Sequence, residues 1–131
     1  METIRLLLAD CHAHVRASLL TRLRHEADFE FVGEATTSAE TIALAYERQP
    51  HVVLMDPIMD GESGLEAIRH IAEKLPQTAI IVLTAVADKP QRLAWRRAGA
   101  SCILEKGIET SQLVDVLRAV GHVSETERKN D

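Results

Sequence analysis

His51-Val52-Val53-Leu54-Met55-Asp56-Pro57-Ile58-Met59-Asp60-Gly61-Glu62-Ser63-Gly64 is the stretch on which the fold turns. Its four consecutive apolar residues, Val52 to Met55, are too few for a buried helix and β-branched enough for a central strand. The run stops on a carboxylate, Asp56, and Pro57 and Gly61 follow within five positions. An acid placed there stands where a buried parallel strand surfaces, at the carboxyl edge of the sheet. In open α/β folds that edge is where ligands and chemistry gather.

Apolar runs and amphipathic segments alternate on both sides of this stretch. Ile4 to Ala9 reads as a strand ending on Asp10, and Val15, Leu19 and Leu23 form one stripe of a helix over residues 12–26. Phe29 to Ala35 is a more polar strand, expected near an edge. Ser38 is placed to cap a helix carrying Ile42, Ala45 and Tyr46 that ends before Pro50. Beyond the central strand, Ser63-Gly64-Leu65-Glu66 has the form of a capping box, and Leu65, Ile68, Ala72 and Leu75 carry a helix to Pro76.

Ala79 to Leu83 is the most apolar strand and stops on Thr84. Asp88-Lys89-Pro90-Gln91 starts a helix with Leu93, Ala94 and Ala98 inward and Gly99 at its end. Ser101 to Glu105 is a fifth strand running into Lys106-Gly107. Leu113, Val114, Leu117 and Val120 make a last helix stopped around Gly121. The polar residues 123–131 are expected to form a disordered tail or the start of a linker to an output domain. Five strand–helix units in strict alternation predict a doubly wound α/β domain over residues 1–122. Its five-stranded parallel sheet takes the flavodoxin-like order 2-1-3-4-5, with helices on both faces.

Composition agrees with a single globular domain: 131 residues, 46% hydrophobic and 27% charged. A net charge of -5 gives no electrostatic footprint for nucleic acid within this chain. Cys11 and Cys102 make no disulfide framework, and Met1-Glu2-Thr3 lacks the basic and apolar regions of a signal peptide. No apolar run approaches the length of a membrane span. The expected setting is a reducing cytoplasm.

Four strands end on reactive groups: Asp10, Asp56, Thr84 and Lys106. In the order 2-1-3-4-5 those strands are neighbours, so the four side chains line one cleft. A carboxylate can attack a phosphoryl group and carry it as an acyl phosphate. Such transfer is mostly positioning and charge neutralisation. A second acid helps hold Mg²⁺, a lysine neutralises the phosphoryl oxygens, and a threonine hydroxyl donates to one of them. Asp56 as nucleophile, Asp10 as metal support, and Thr84 and Lys106 as phosphoryl contacts form a complete set. No Ser/His/Asp order, P-loop or GxGxxG competes with it.

On these residues the chain resembles the receiver domain of bacterial two-component response regulators, over residues 4 to about 121. Ile4-Arg5-Leu6-Leu7-Leu8-Ala9-Asp10, Met55-Asp56, Asp60-Gly61, Gly64-Leu65-Glu66, Leu83-Thr84-Ala85, Ala98-Gly99-Ala100 and Lys106 all fall in that family's places. The opening strand and the Ala-Gly-Ala segment are similar to receivers that precede a LuxR/NarL-type helix-turn-helix. The resemblance implies phosphorylation of Asp56 by a partner histidine kinase and a DNA-binding output outside this chain. It also implies Mg²⁺ held by Asp10, Asp56 and the backbone carbonyl of Ile58. Thr84 and Lys106 would move on phosphorylation and remodel a signalling surface carrying Ile103, Trp95, Arg92 and Arg96, where a homodimer could form through the fourth helix, fifth strand and fifth helix.

The sequence departs from the family in three places. Cys11 stands where a second acid usually follows the first strand, and a thiol is a poor Mg²⁺ ligand, so metal affinity should fall. Asp60 or Glu62 are the residues that could compensate. Ile103 occupies the usual aromatic switch position, and Asp60 replaces a preferred proline, which should loosen its loop. A lone Cys11-x-x-His14 reads as a small buried thiol, and His12 and His14, two apart, share no helix face. The rival reading is a phosphorylation-independent pseudo-receiver acting by dimerisation or partner binding. An aspartate-nucleophile phosphatase would want an acid where Ile58 stands.

Overall fold

The computed structural model describes residues 3–85 and 88–130, with side chains to residue 121. Strands β1 (Ile4–Ala9), β2 (Phe29–Ala35), β3 (Val52–Met55), β4 (Ala79–Thr84) and β5 (Cys102–Glu105) form one sheet in the order β2-β1-β3-β4-β5. All four pairings are parallel, and the order is the expected one. Among the described residues four helices connect the strands, α1 (Ala13–Leu23), α2 (Ser38–Arg48), α3 (Leu65–Lys74) and α4 (Lys89–Ala98), and α5 (Thr110–Asn130) follows the last. Between β3 and α3 a small antiparallel hairpin pairs Ile58–Met59 with Glu62–Ser63. Among the described residues no helix is long and apolar enough to cross a membrane.

Strand periodicity explains why helices cover both faces. Successive side chains of a strand point to opposite sides. Leu6, Leu8, Val52, Leu54, Ile81 and Leu83 therefore feed one core, closed by Leu19 and Leu23 of α1 and Leu113 and Leu117 of α5. Leu7, Ala9, Val53, Met55, Ile80 and Val82 feed the other, closed by α2, α3 and α4. Polar β2 lies at the edge of the sheet, as its composition predicted.

Several local signals act differently from their reading in sequence. Thr37, not Ser38, caps α2, accepting from the Glu40 N–H at 3.1 Å. Ser38 is the first helical residue, and its buried hydroxyl oxygen has no hydrogen-bond partner. The N-cap of α3 is Gly64, with no side-chain cap. Ser63 instead accepts from the Leu65 N–H at 3.2 Å, so the capping box is not formed. The box at Asp88/Gln91 is formed, and Gly99 ends α4 as expected.

Gly121 does not stop α5; the backbone stays helical to Asn130, and the polar segment expected as a tail or linker falls in this extension or, at Asp131, outside the described residues. The glycine serves close approach instead: a Cβ there would lie 2.9 Å from Ile4 Cγ2.

Candidate functional site

The β ladder sets the acids side by side. Ala9 pairs with Met55 at the ends of β1 and β3, and the pattern runs one step further, with Asp56 N–H donating to the Ala9 carbonyl at 2.9 Å. On the other flank Asp10 N–H donates to the Ala35 carbonyl at 2.9 Å. Beyond the paired Thr84 and Glu105, the Lys106 N–H donates to the Thr84 carbonyl at 2.7 Å. Asp10, Asp56, Thr84 and Lys106 thus reach one edge, as expected.

Lys106 joins the two acids. Its Nζ donates to Asp56 Oδ2 at 2.5 Å and to Asp10 Oδ2 at 3.0 Å. Asp56 Oδ1 accepts from the Ile58 N–H at 2.8 Å, which fixes the plane of the carboxylate. Asp10 Oδ1 accepts from the His12 N–H at 2.8 Å and faces His12 Nδ1 at 3.2 Å. Arg16 donates to the Asp10 carbonyl at 2.6 Å and to Glu34 at 2.9 Å. One ammonium serves two carboxylates in a pocket where Asp10 is buried and Asp56 nearly so.

Electrostatics follow from this arrangement. Burial alone would lift the Asp10 carboxyl, but the His12 backbone N–H and the Lys106 ammonium outweigh it and hold the group below its ordinary range. Burial likewise disfavours charge on Lys106. Its hydrogen bonds to Asp56 and Asp10 prevail, so it keeps its proton more tightly than a free lysine.

The donors fit Mg²⁺ only in part. Asp10 and Asp56 offer hard oxygens, but the side chain between them in the metal role is a half-buried thiol, Cys11. Asp60 and Glu62 do not repair this. Both are exposed on a tight hairpin turn with positive φ at its two central residues, 52° at Asp60 and 77° at Gly61, the geometry of a type I′ turn. The loop expected to be loose is therefore a defined turn. Ile58 lies exposed in this hairpin, its N–H held by the acceptor carboxylate.

Two residues expected on a signalling surface are inside. Trp95 and Ile103 are buried together with Ala98 and Ala100, because α4 turns its indole toward β4 and β5. Trp95 also closes the inner wall of a shallow cleft lined by Pro57, Ile58, Gly61 and Ser63. Arg92 is half-buried, 3.5 Å from Glu105, and Arg96 is exposed. The residue missed in sequence is His12. It is the N-cap of α1 with extended backbone, φ −95° and ψ 113°, so strand logic applies and positions 10 and 12 project to one side.

Comparison with known proteins agrees with the fold. The model of the response regulator receiver domain matches residues 6–118. The transcriptional regulatory protein LiaR of Bacillus subtilis is 39% identical over 116 residues, 88% of this chain and 55% of LiaR. The response regulator protein VraR of Staphylococcus aureus is 33% identical, over 88% of this chain and 56% of VraR. The chain thus spans about half the length of these curated relatives.

Among solved structures, a LuxR-family two-component response regulator from Aurantimonas sp. SI85-9A1 superposes with TM-score 0.85 at 29% identity, covering 92% of this chain and 86% of that one. The signal receiver domain of the response regulator NarL from Mycobacterium tuberculosis gives 0.86 at 23% identity, over 93% and 98%, a likeness of fold. With the five-stranded order, the paired acids and the lysine between them, the chain belongs to the response regulator receiver domain family.

Proposed function

We propose that Asp56 accepts a phosphoryl group from a partner histidine kinase and that this state controls a DNA-binding output in a longer protein. The observation that carries the reading is Lys106 Nζ held against Asp56 Oδ2 at 2.5 Å with Asp10 beside it. In transfer, an Asp56 oxygen forms a bond to phosphorus while the bond from phosphorus to the donor imidazole breaks and the electron pair leaves with the ring. Lys106 follows the incoming negative charge, and the Thr84 hydroxyl donates to a phosphoryl oxygen. Attack by water later returns the carboxylate and inorganic phosphate, so turnover is limited to gaining and losing one group.

Asp10, Asp56 and the Ile58 carbonyl would hold Mg²⁺, whose charge would neutralise phosphoryl oxygens, and Cys11 would weaken that support. A cytoplasmic setting and a homodimer through α4, β5 and α5 accompany this reading. A phosphate-independent pseudo-receiver is the second reading. It is favoured by Cys11 in the acid's place and by Ile103 already lying inward.

Intact mass after incubation with a small phosphodonor and Mg²⁺ separates the two. The expected result is a phosphoryl mass on wild type and none on Asp56→Asn. Modification of Cys11→Asp alone would favour the pseudo-receiver, and no gain in any variant would sink the phosphoacceptor reading.

A further inference from the structure

Where β1 gives way to α1, three different donor atoms converge from consecutive residues: Asp10 Oδ1, Cys11 Sγ and His12 Nδ1. All lie within 4.8 Å of one another. Neighbouring side chains on a strand would diverge to opposite faces, so it is the turn out of β1 that gathers them. We propose that Asp10, Cys11 and His12 form a binding site for a thiophilic divalent cation of the Zn²⁺ class.

The spacing supports it. A tetrahedral ion with bonds of about 2.3 Å to sulfur and about 2.0 Å to nitrogen and oxygen sets S···N near about 3.5 Å and N···O near about 3.3 Å. The structure has Cys11 Sγ to His12 Nδ1 at 3.6 Å and His12 Nδ1 to Asp10 Oδ1 at 3.2 Å. An imidazole Nδ1 carries at most one hydrogen, yet both the thiol and the carboxylate crowd this one; a cation satisfies all three together.

The outer contacts are those of a metal site. Lys106 holds Asp10 Oδ2, which fixes the carboxylate that presents Oδ1. His12 is 56% exposed, which leaves a path for entry. No fourth Asp, Glu, His or Cys joins the group among the described residues, so a tetrahedral ion keeps one position for water or an anionic ligand. Thiolate and imidazole select such an ion over Mg²⁺. On binding, the metal–sulfur bond replaces S–H, the proton leaves to solvent, and no oxidation state changes. The site does not require that Asp56 accept phosphate.

The test is a Co²⁺ titration of the full chain, kept reduced, followed by absorption. The expected result is a thiolate-to-cobalt charge-transfer band with tetrahedral d–d absorption, displaced by equimolar Zn²⁺ but not by excess Mg²⁺. Cys11→Ser removes the charge-transfer band, and His12→Gln weakens binding by about tenfold to a hundredfold. His14→Gln and Asp56→Asn leave the band in place. The last variant separates failure of this site from failure of phosphoryl acceptance. A wild-type chain without the band, or a band that survives Cys11→Ser and so arises from Cys102, overturns the proposal.

Discussion

Two clusters, at opposite edges of the sheet, solve the same charge problem in different ways. Each sets one cation between two acids. At the carboxyl edge, the Lys106 ammonium is shared by Asp10 and Asp56. At the other, Arg118 of α5 meets Asp28 with Nε at 2.9 Å and a second nitrogen at 3.1 Å, and reaches Glu26 at 2.9 Å. Its guanidinium also lies 5.7 Å from the centre of the Phe29 ring. A planar fork matched to a carboxylate fixes direction as well as charge, and the hydrogen bond to Asp28 holds the Arg118 proton even more firmly than usual. An ammonium is a compact point charge on a flexible stem. The arginine fork fixes its cluster in place, whereas under the proposed phosphoryl transfer the lysine's flexible stem would let its cation follow a new negative charge.

The largest effect should come from removing the shared ammonium. Lys106→Met leaves two adjacent carboxylates without it and should cost about 2–3 kcal/mol in urea unfolding at neutral pH. In that variant Asp10 loses the ammonium that helps hold its carboxyl below the ordinary range, so less stability should be lost as pH falls through the carboxylate range. An equal loss at every pH would mean that Lys106 contributes packing and not charge.

Arg118→Lys keeps the charge and loses the fork, and a fall in Tm of about 2–5 °C is expected. An unchanged Tm would remove the distinction between the two cations. Asp10 offers a finer comparison, because its folded pKa is lowered. Its contribution to stability is present above the ordinary carboxylate range and lost as pH drops through the depressed value. Asp10→Asn should therefore flatten the acid limb of the stability curve by at most about 1.4 kcal/mol per pH unit. A limb of unchanged slope would assign acid unfolding to other carboxylates. Smallest of all, Glu105→Gln at the exposed pair with Arg92 should shift stability by less than about 0.5 kcal/mol, measured by the same unfolding curves.

The sheet was legible because β1, β3 and β4 are short apolar runs that must be covered on both sides, and each ends on a residue of the site. What resisted reading was local geometry. Thr37 and Ser38 are both capping types, and backbone dihedrals chose Thr37 although serine is the better cap by type. Gly121 carries the mark of a helix stop but serves a close packing contact. Trp95 sits among arginines in sequence, yet its position on α4 turns it inward. Helix spacing separates His12 from His14, but the chain at His12 is still extended, and the neighbours that matter are Asp10 and Cys11.

Trp95 has a last consequence. It is the only tryptophan in the chain, buried on one side in the core that also holds Ile103 and bordering the cleft beside the hairpin that follows Asp56 on the other. The molecule therefore carries its own optical probe. Its emission comes from a single place between the hairpin after Asp56 and α4, and a change in either is readable in an unlabelled sample.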